Sequence, residues 1–487
     1  MLCLDLLTDT SNSSPSSNHY DVIVIGAGLS GLAASLRSSM FGKKVLLLEK
    51  HYIVGGLNSF YAKGGKKFDV GLHALTNFPS TYSGKSSPLL KLCRQLRIPL
   101  DSLLLQEQSH SRITFGKTHL CFDNNFEYFL SEIEKVFPKE KDRFLDFLNK
   151  MDAFPAYSMK AKELSGRKIL ANHINDPLLR EMLLCPTCYY GSAQENDIDF
   201  PTFVMLFDAI FKQGLARPEK GIRSILDPVR KKLHELGVVR KMNSAVSKIK
   251  TQKDRVSEIE METGECYTAD QFISTCGGVE TENLLGLPED QKETEQGRFT
   301  IIESISVFDG HPLDFGWEET VVFFNQSESF CYNEPKELVD LNSGVICLPE
   351  NYGNNRKSII NESKLRITHP ANFDLWNQLD ENEYIENKKN CETQILENGL
   401  QYLKDGSSVK KEFQSRIILN DTFTPKTIKR FTSHEKGTLY GSPTKKRDGS
   451  TRFRNLFLAG TDQGYVGIVG AMLGGIAVAN NQILRRS

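Results

Sequence analysis

The chain has 487 residues, of which 39% are hydrophobic and 25% charged, and its formal net charge at pH 7 is −1. This length suffices for two or three domains with a large buried core, and the absence of net positive charge argues against nucleic acid as a partner. Its ten cysteines follow no repeating spacing, which argues against a secreted disulfide scaffold and favours a reducing compartment such as the cytoplasm.

The N-terminal residues 1–19 are predicted to form a disordered leader. They have no basic start, contain Asp5 and Asp9 and lack Arg, which argues against a secretory signal or a transit peptide. The best candidate for a membrane helix, 456–479, carries Asp462 and six glycines. It is better explained as part of a binding site than as a membrane span.

The first element after the leader sets the fold class. A run of mostly β-branched residues at 21–25 predicts a strand that is buried on both faces of a parallel sheet. A glycine turn, a helix at 29–40 and a second apolar strand at 44–49 follow. This βαβ unit predicts an α/β protein with a Rossmann-type nucleotide-binding domain.

The rest of the chain alternates between two kinds of pattern. Residues 81–215 are rich in amphipathic helix patterns, 237–274 return to strand patterns, and 291–415 mix strands with a charged helix near 381–403. The pattern predicts one nucleotide-binding domain built from three pieces and interrupted by an α+β substrate domain built from two. The predicted pieces are 20–80, 216–290 and 416–487 for the former, and 81–215 and 291–415 for the latter.

The turn after the first strand has the spacing of a dinucleotide-binding loop. Gly26 permits a tight turn, Gly28 lets the backbone approach a pyrophosphate, and Gly31 allows close packing of helix on strand. Leu29 and Ser30 begin the helix, whose N-terminus offers free N–H groups to phosphates. An ordinary glycine turn is the alternative, which the strand–turn–helix context disfavours.

The segment after the second strand extends this site and favours FAD over NAD. Glu49 ends that strand, about 20 residues beyond the loop, where a carboxylate can accept hydrogen bonds from ribose hydroxyls. Lys50 follows it directly. The doublet Gly55-Gly56, followed by Leu57, lets the chain pass close to the phosphates and the ribityl chain of FAD.

A second half-site is predicted near the C-terminus. There a buried strand leads into a glycine-rich loop and a last helix, with Asp462 placed to bond ribityl hydroxyls. The helix would direct its N-terminus at the pyrimidine end of the flavin and stabilise negative charge there. The predicted contacts are Gly460, Asp462, Gly467, Val469 and Gly470; a flexible glycine loop is the alternative.

These features resemble the glutathione-reductase-type FAD superfamily, and more narrowly the phytoene desaturase, carotenoid isomerase and retinol saturase group. Residues 55–73 read GGLNSFYAKGGKKFDVGLH, in which Phe68, Asp69, Gly71 and His73 match the F-D-x-G-x-H pattern of the retinol saturase branch.

Three further segments carry the resemblance. Residues 215–221 are similar to a Pro-x-Gly-Gly segment of the group, with Lys220 in place of the first glycine, which leaves the role of that loop open. The strand at Val246 looks like the one that touches the adenine end of FAD. Residues 437–441 and 455–474 look like the C-terminal region that contacts flavin and substrate.

The resemblance implies a hydrophobic tunnel to the flavin and redox chemistry or isomerisation of a long polyene, such as a carotenoid, a retinoid or another isoprenoid lipid. It also implies a protein that is soluble or peripherally bound to a membrane. The apolar stretch 200–211 could line the tunnel or enter the headgroup layer. The alternative for this stretch is a buried core helix.

Few residues with a chemical role are expected, because orientation and cofactor electronics carry most of flavin desaturation. His73 is the best candidate, since its segment should pass the flavin and an imidazole can handle a proton. Tyr440 and His434 could flank the ring. For all three a structural role is the alternative. The pair Cys185 and Cys188 forms a CxxC without a second pair or a thioredoxin-like setting, which disfavours both metal binding and redox action.

Two other functions use the same fold. A flavin amine oxidase usually carries Arg after the glycine doublet and Trp before the C-terminal flavin segment, whereas here Leu57 follows the doublet and the tryptophans are Trp317 and Trp376. A prenyl-lipid escort protein resembling the Rab GDP-dissociation inhibitors need not keep a flavin site. No second GxGxxG follows a strand, so a nicotinamide domain is not expected, and the electron acceptor and the reaction direction stay open.

Overall fold

The computed structural model describes residues 18–79, 87–353 and 362–485. Most of the predicted leader at 1–19 therefore lies outside the described residues. The first strand begins at His19.

The described residues form nineteen strands and fourteen α-helices. The strands are β1 His19–Ile25, β2 Val45–Leu48, β3 Phe60–Lys63, β4 Lys66–Asp69, β5 Leu75–Thr76, β6 Leu105–Glu107, β7 Ser111–Phe115, β8 Thr118–Phe122, β9 Leu215–Pro218, β10 Val239–Lys241, β11 Val246–Gln252, β12 Arg255–Met261, β13 Cys266–Ser274, β14 Thr300–Asp309, β15 Val321–Asn325, β16 Ser343–Cys347, β17 Glu362–Ala371, β18 Ile417–Phe423 and β19 Leu456–Leu458. The helices are α1 Leu29–Ser39, α2 Pro88–Leu96, α3 Phe126–Val136, α4 Lys141–Ala153, α5 Gly166–His173, α6 Pro177–Gly191, α7 Phe200–Phe207, α8 Arg223–Glu235, α9 Gly278–Leu284, α10 Phe373–Gln378, α11 Glu381–Leu400, α12 Gly406–Ser415, α13 Pro425–Thr432 and α14 Gly467–Val478.

The first large sheet has a parallel core in the order β10-β2-β1-β13-β19, with the antiparallel pair β11–β12 attached to β13. The central strands are apolar and buried because helices cover the sheet. Helices α1 and α14 pack closely: a Cβ at Gly475 would lie 2.1 Å from the Ser30 carbonyl oxygen. The predicted Rossmann-type fold is confirmed.

The second large sheet has the order β18-β14-β17-β16-β15-β7-β8 and is antiparallel except between β15 and β7. Strands β7 and β8 come from the range 81–215, so both pieces of the predicted substrate domain share one sheet. Strand β18 falls in the range 416–487, predicted for the nucleotide-binding domain, yet it pairs with β14. The domain boundaries themselves stay a prediction.

A helical layer from α3 to α7 packs against this second sheet around an aromatic core. The apolar stretch 200–211 forms α7 and a π-helical turn, and α7 is buried along its whole length. Phe129 and Phe211 stack with ring centroids 4.5 Å apart. Of the interpretations considered for this stretch, the buried core helix is the one that the packing supports.

One helical stretch of the described residues, Gly467–Leu484, is long and apolar enough to cross a bilayer by length and composition, and 56% of it is buried within the protein. A core helix has the same composition, and this one packs against α1 beside the first sheet. The stretch is therefore explained by the fold, in line with its interpretation as part of a binding site.

His369 on β17 makes the stability of the second sheet depend on pH. Its Nδ1 donates to the carbonyl oxygens of Ser343 (2.8 Å) and Asp340 (3.1 Å), whereas Nε2 is buried without a hydrogen-bond partner among the described residues. Burial lowers the pKa of His369 to about 4. Because an unfolded imidazole titrates near 6.5, the stabilisation is complete above about pH 6.5 and is lost as the pH falls towards 4.

We expect this loss to be on the order of 3 kcal/mol, measured as the free energy of unfolding in urea between pH 7 and pH 4. In the variant His369→Gln the free energy of unfolding should change clearly less between pH 7 and pH 4. An unchanged slope in that variant would show that His369 is not the titrating group.

Candidate active site

A cavity of about 850 Å³ begins at the carboxyl ends of β1, β2 and β13 and continues to the face of the second sheet. This volume lies near the upper end of the usual range for small-molecule sites, about 300–1,000 Å³. Ligands of open parallel sheets bind at the carboxyl ends of the strands, where the strand order changes direction. Here that point is the end of β1, between β2 and β13.

The loop after β1 gives the three glycines different roles. Gly26 has φ +97°, a conformation that favours glycine, and Gly28 forms the N-cap of α1 without a side-chain cap. A Cβ at Gly28 would meet nothing within 4 Å, whereas one at Gly31 would lie 2.0 Å from the Gly26 carbonyl oxygen. Gly28 therefore leaves open space before free helix N–H groups, and Gly31 is required for packing. Gly26, Gly28, Leu29 and Ser30 line the cavity.

The residues after β2 close this end of the cavity. The Glu49 carboxylate accepts hydrogen bonds from the backbone N–H of Ala27 (2.7 Å) and of His51 (2.8 Å). Gly55 (φ +113°) bridges to Gly28, so the doublet passes directly beside the loop. The lining residues predicted here are all present, namely Glu49, Lys50, Gly55, Gly56, Leu57 and Val246.

The C-terminal half-site meets the same cavity through Gly460, Asp462 and Gly467. The Asp462 carboxylate accepts from the N–H groups of Gly278 (2.5 Å) and Ser442 (2.7 Å). Val469 and Gly470 were also predicted to contact the cofactor. Neither lies in the cavity wall, and Val469 is buried in the core. The reason is helical periodicity: Gly467, Ile468 and Ala471 face the cavity, so the two intervening residues turn away.

These residues fit FAD. The open space at Gly28 faces an uncapped helix N-terminus, as a pyrophosphate requires, and a carboxylate stands at the end of β2 for a ribose. Helix α14 likewise begins at the cavity without a side-chain cap. The two half-sites, more than 400 residues apart in sequence, thus form one cradle.

The other end of the cavity is an aromatic and aliphatic wall. Phe299, Ile301 and Glu303 alternate along β14 and its approach, which places them on the same face of the second sheet. Tyr440 and Phe299 have nearly parallel rings with centroids 6.3 Å apart. The Tyr440 hydroxyl donates to the Tyr189 carbonyl oxygen, and burial raises its pKa. Tyr440 thus lines the cavity with a neutral hydroxyl that is already bonded to the backbone.

His73 lies in the cavity wall next to a buried charged network. Its Nε2 lies 3.0 Å from Glu303 Oε2 and 3.3 Å from Thr368 Oγ1, and Arg366 Nε donates to Glu303 Oε1 at 2.6 Å. Burial lowers the pKa of His73, opposed by Glu303. Burial alone would raise the pKa of Glu303, but Arg366 and His73 outweigh it and hold that pKa at about 2. At neutral pH the pair is therefore a neutral imidazole beside a carboxylate.

Sequence reasoning missed Glu303, Arg366 and Thr368. In the structure Glu303 and Arg366 stand near the middle of β14 and β17, two largely buried strands, where charged side chains are rare unless they are paired. Both strands also carry other polar residues, so the sequence did not single these two out. Nothing in the local sequence links these strands to His73, more than 200 residues earlier.

The remaining candidates have structural partners. His434 lines the cavity, and its Nδ1 is bonded to the Thr438 carbonyl oxygen at 2.9 Å. Cys185 and Cys188 are buried within α6, where desolvation raises the pKa of both thiols. A thiolate, which metal binding and redox action require, is disfavoured there.

A dinucleotide cradle that opens into an apolar chamber defines an FAD-dependent oxidoreductase. The model of the flavin containing amine oxidoreductase family matches residues 29–384, more than half of the chain. The chain belongs to that family.

Two curated relatives extend over most of the chain. A 4,4'-diaponeurosporene oxygenase of Staphylococcus aureus (strain USA300) is 23% identical over 480 residues, which cover 90% of this chain and 93% of the relative. Prolycopene isomerase 2, chloroplastic, of an Oncidium hybrid cultivar is 22% identical over 475 residues, covering 88% of this chain and 76% of the relative. These names agree with the predicted phytoene desaturase and carotenoid isomerase group.

The fold is shared with a solved oxidase. A triple variant of putrescine oxidase superposes with a TM-score of 0.63 at 15% identity, over 96% of this chain and 99% of that chain. At this identity the similarity shows the fold alone.

Proposed function

We propose that the protein catalyses the FAD-dependent oxidation, reduction or isomerisation of a long polyene or another isoprenoid lipid. The observation that carries the proposal is the continuity of the cavity, which runs from the FAD cradle to the wall formed by Phe299, Ile301 and Tyr440. An extended apolar substrate would gain from this wall about 25 cal/mol per Å² of apolar surface removed from water. The two relatives named for carotenoid chemistry support the same substrate class.

The chain's own contribution is positioning. When bound, FAD exchanges two electrons with the substrate, and the protein has to hold a substrate carbon against the flavin and keep water out. The aromatic wall is suited to that task, because flat polyenes pack against rings. His73 is the proposed catalytic residue, since its imidazole lines the cavity next to Glu303 on the face of the second sheet.

The substrate class also bears on location. A polyene lipid resides in a bilayer, so we propose a cytoplasmic protein with peripheral membrane contact rather than a spanning one. The electron acceptor or donor is a separate molecule, or is absent where the reaction is an isomerisation.

Amine oxidation is the second candidate, favoured by the family to which the chain belongs. An amine substrate would place a nitrogen in the same chamber. The two candidates therefore differ in substrate and share the cofactor.

The decisive experiment is a visible spectrum of the purified protein, followed by anaerobic mixing with test substrates. We expect absorption bands of oxidised flavin and release of FAD on denaturation. With FAD bound, carotenoids or retinoids should be converted, with bleaching of the flavin bands when the substrate is oxidised, while putrescine and monoamines should leave the spectrum unchanged. Reduction by amines without any conversion of polyenes would favour the second candidate, and a protein that cannot be loaded with FAD would contradict both.

A further inference from the structure

A charged network lies buried in the otherwise apolar wall of the substrate end. Glu303 and Arg366 have side-chain exposures of 3% and 2%, and their paired charges stand on neighbouring strands of the second sheet. Removing two charges from water is costly, and a hydrophobic pair would serve packing as well or better. The network therefore calls for an explanation beyond the stability of the sheet.

The two ring nitrogens of His73 have different surroundings. Nε2 is within hydrogen-bond distance of Glu303 Oε2 and Thr368 Oγ1. Because the Glu303 carboxylate is ionised and can only accept, Nε2 carries the proton. Nδ1 then has a free lone pair. It has no hydrogen-bond partner among the described residues, and His73 lines the cavity.

Three neighbouring side chains hold the backbone of Leu72 and His73 in place. Arg217 on β9 donates to the carbonyl oxygen of His73 at 3.1 Å, and the thiol of Cys347 on β16 donates to the same oxygen at 3.4 Å. Arg366 on β17 donates to the carbonyl oxygen of Leu72 at 3.0 Å. The charged groups that act on the imidazole are therefore Glu303, Arg366 and Arg217, and the titratable thiol of Cys347 contacts the backbone of the same residue.

We propose that Glu303 is a positioning residue, kept ionised by Arg366, which fixes His73 as the Nε2–H tautomer and directs Nδ1 into the substrate chamber as a proton acceptor. The proposal rests on the proposed function, since it assigns the proton of that reaction. In the oxidative direction one substrate carbon gives up a hydride, taken by FAD, and its neighbour gives up a proton to Nδ1, while the electrons of the second C–H bond form the new C=C bond. The imidazolium that results is neutralised by Glu303. The reverse reaction returns the same proton.

The first test follows His73 directly by NMR in the FAD-loaded protein labelled with ¹⁵N-histidine, using His73→Gln to assign the signal. We expect a single Nε2–H tautomer in the wild type. In Glu303→Gln the tautomers should mix and the pKa of His73 should fall further, because the Glu303 carboxylate raises it. An unchanged tautomer and pKa in this variant would overturn the proposal, whatever substrate the protein uses.

The second test uses turnover of the polyene substrate. His73→Gln should lose about 10²–10⁴-fold in kcat at unchanged FAD content, and Glu303→Gln about 10-fold or more with its acid limb moved to lower pH. Glu350→Gln is the matched control, because Glu350 pairs with Lys364 beside the same sheet and lies outside the cavity wall. It should keep the wild-type kcat.

Should Glu303→Gln fail to fold, His73→Ala with added imidazole replaces it. Partial recovery of kcat by imidazole supports a proton acceptor at this position, and no recovery contradicts it. Full turnover in His73→Gln would sink the proposal while leaving the proposed substrate class intact.

Discussion

Replacing Gly28 by valine is expected to weaken FAD binding by about one to two orders of magnitude while leaving the fold of the apoprotein unchanged. A Cβ at this position meets nothing within 4 Å, and the backbone lies at φ −66° and ψ 173°, where any residue is tolerated. The open space is the approach to the helix N-terminus, so a valine side chain would occupy the volume of the pyrophosphate. Overpacking of about 1–3 kcal/mol corresponds to an affinity about 10- to 100-fold lower.

The matched control is Gly31→Ala in the same loop. Its Cβ would lie 2.0 Å from the Gly26 carbonyl oxygen, so the backbone itself must move. We expect this variant to lose about 1–3 kcal/mol of stability as apoprotein, which Gly28→Val should not. Flavin absorbance after gel filtration and apoprotein melting temperatures separate the two effects. A normal flavin content in Gly28→Val would show that the pyrophosphate of FAD does not bind at this loop.

The loop illustrates what the sequence could predict. Strand, turn and helix are adjacent in the chain between β1 and β2, and Gly26, Gly28 and Gly31 act through conformations and contacts set within that unit. Such local constraints appear as spacing. The C-terminal half-site could be predicted for the same reason, because its strand, loop and helix are also adjacent in the chain. The helical periodicity of α14 nevertheless turns Val469 and Gly470 away from the cavity wall.

The second sheet illustrates what could not be predicted. Strands β7 and β8 are short, and they lie between helices in a segment whose overall pattern is helical. The parallel pairing of β7 with β15 joins residues about 200 positions apart. The network at His73 depends on the same long-range pairing, because β14 and β17 bring Glu303 and Arg366 together. Contacts of this kind are fixed by packing and leave little periodic trace.

Asp199→Asn is expected to destabilise the protein by about 3–5 kcal/mol, because it removes one charge of a buried ion pair. Asp199 at the start of α7 and Arg447 before β19 have side-chain exposures of 4% and 3%. Arg447 Nη2 donates to Asp199 Oδ2, and Thr202 Oγ1 donates to the same oxygen at 3.1 Å. Asparagine keeps the shape but leaves the guanidinium charge buried without a counter-charge. Urea unfolding at pH 7 measures the loss.

The exposed pair Glu134–Lys141 provides the control, since its side chains are 55% and 46% accessible and Glu134→Gln should change nothing measurable. A small effect of Asp199→Asn would show that Arg447 finds another counter-charge.

The pair also connects the helical layer to the FAD cradle, because the carbonyl oxygen of Arg447 accepts from Gln463, the neighbour of Asp462. FAD binds only the folded state, so excess FAD should restore part of the stability of Asp199→Asn, about 2.7 kcal/mol at 100 times its Kd. Gly28→Val, which binds FAD more weakly, should be stabilised clearly less by the same FAD concentration. This difference between the two variants would separate a residue that contacts the cofactor from an ion pair that stabilises the surrounding domain.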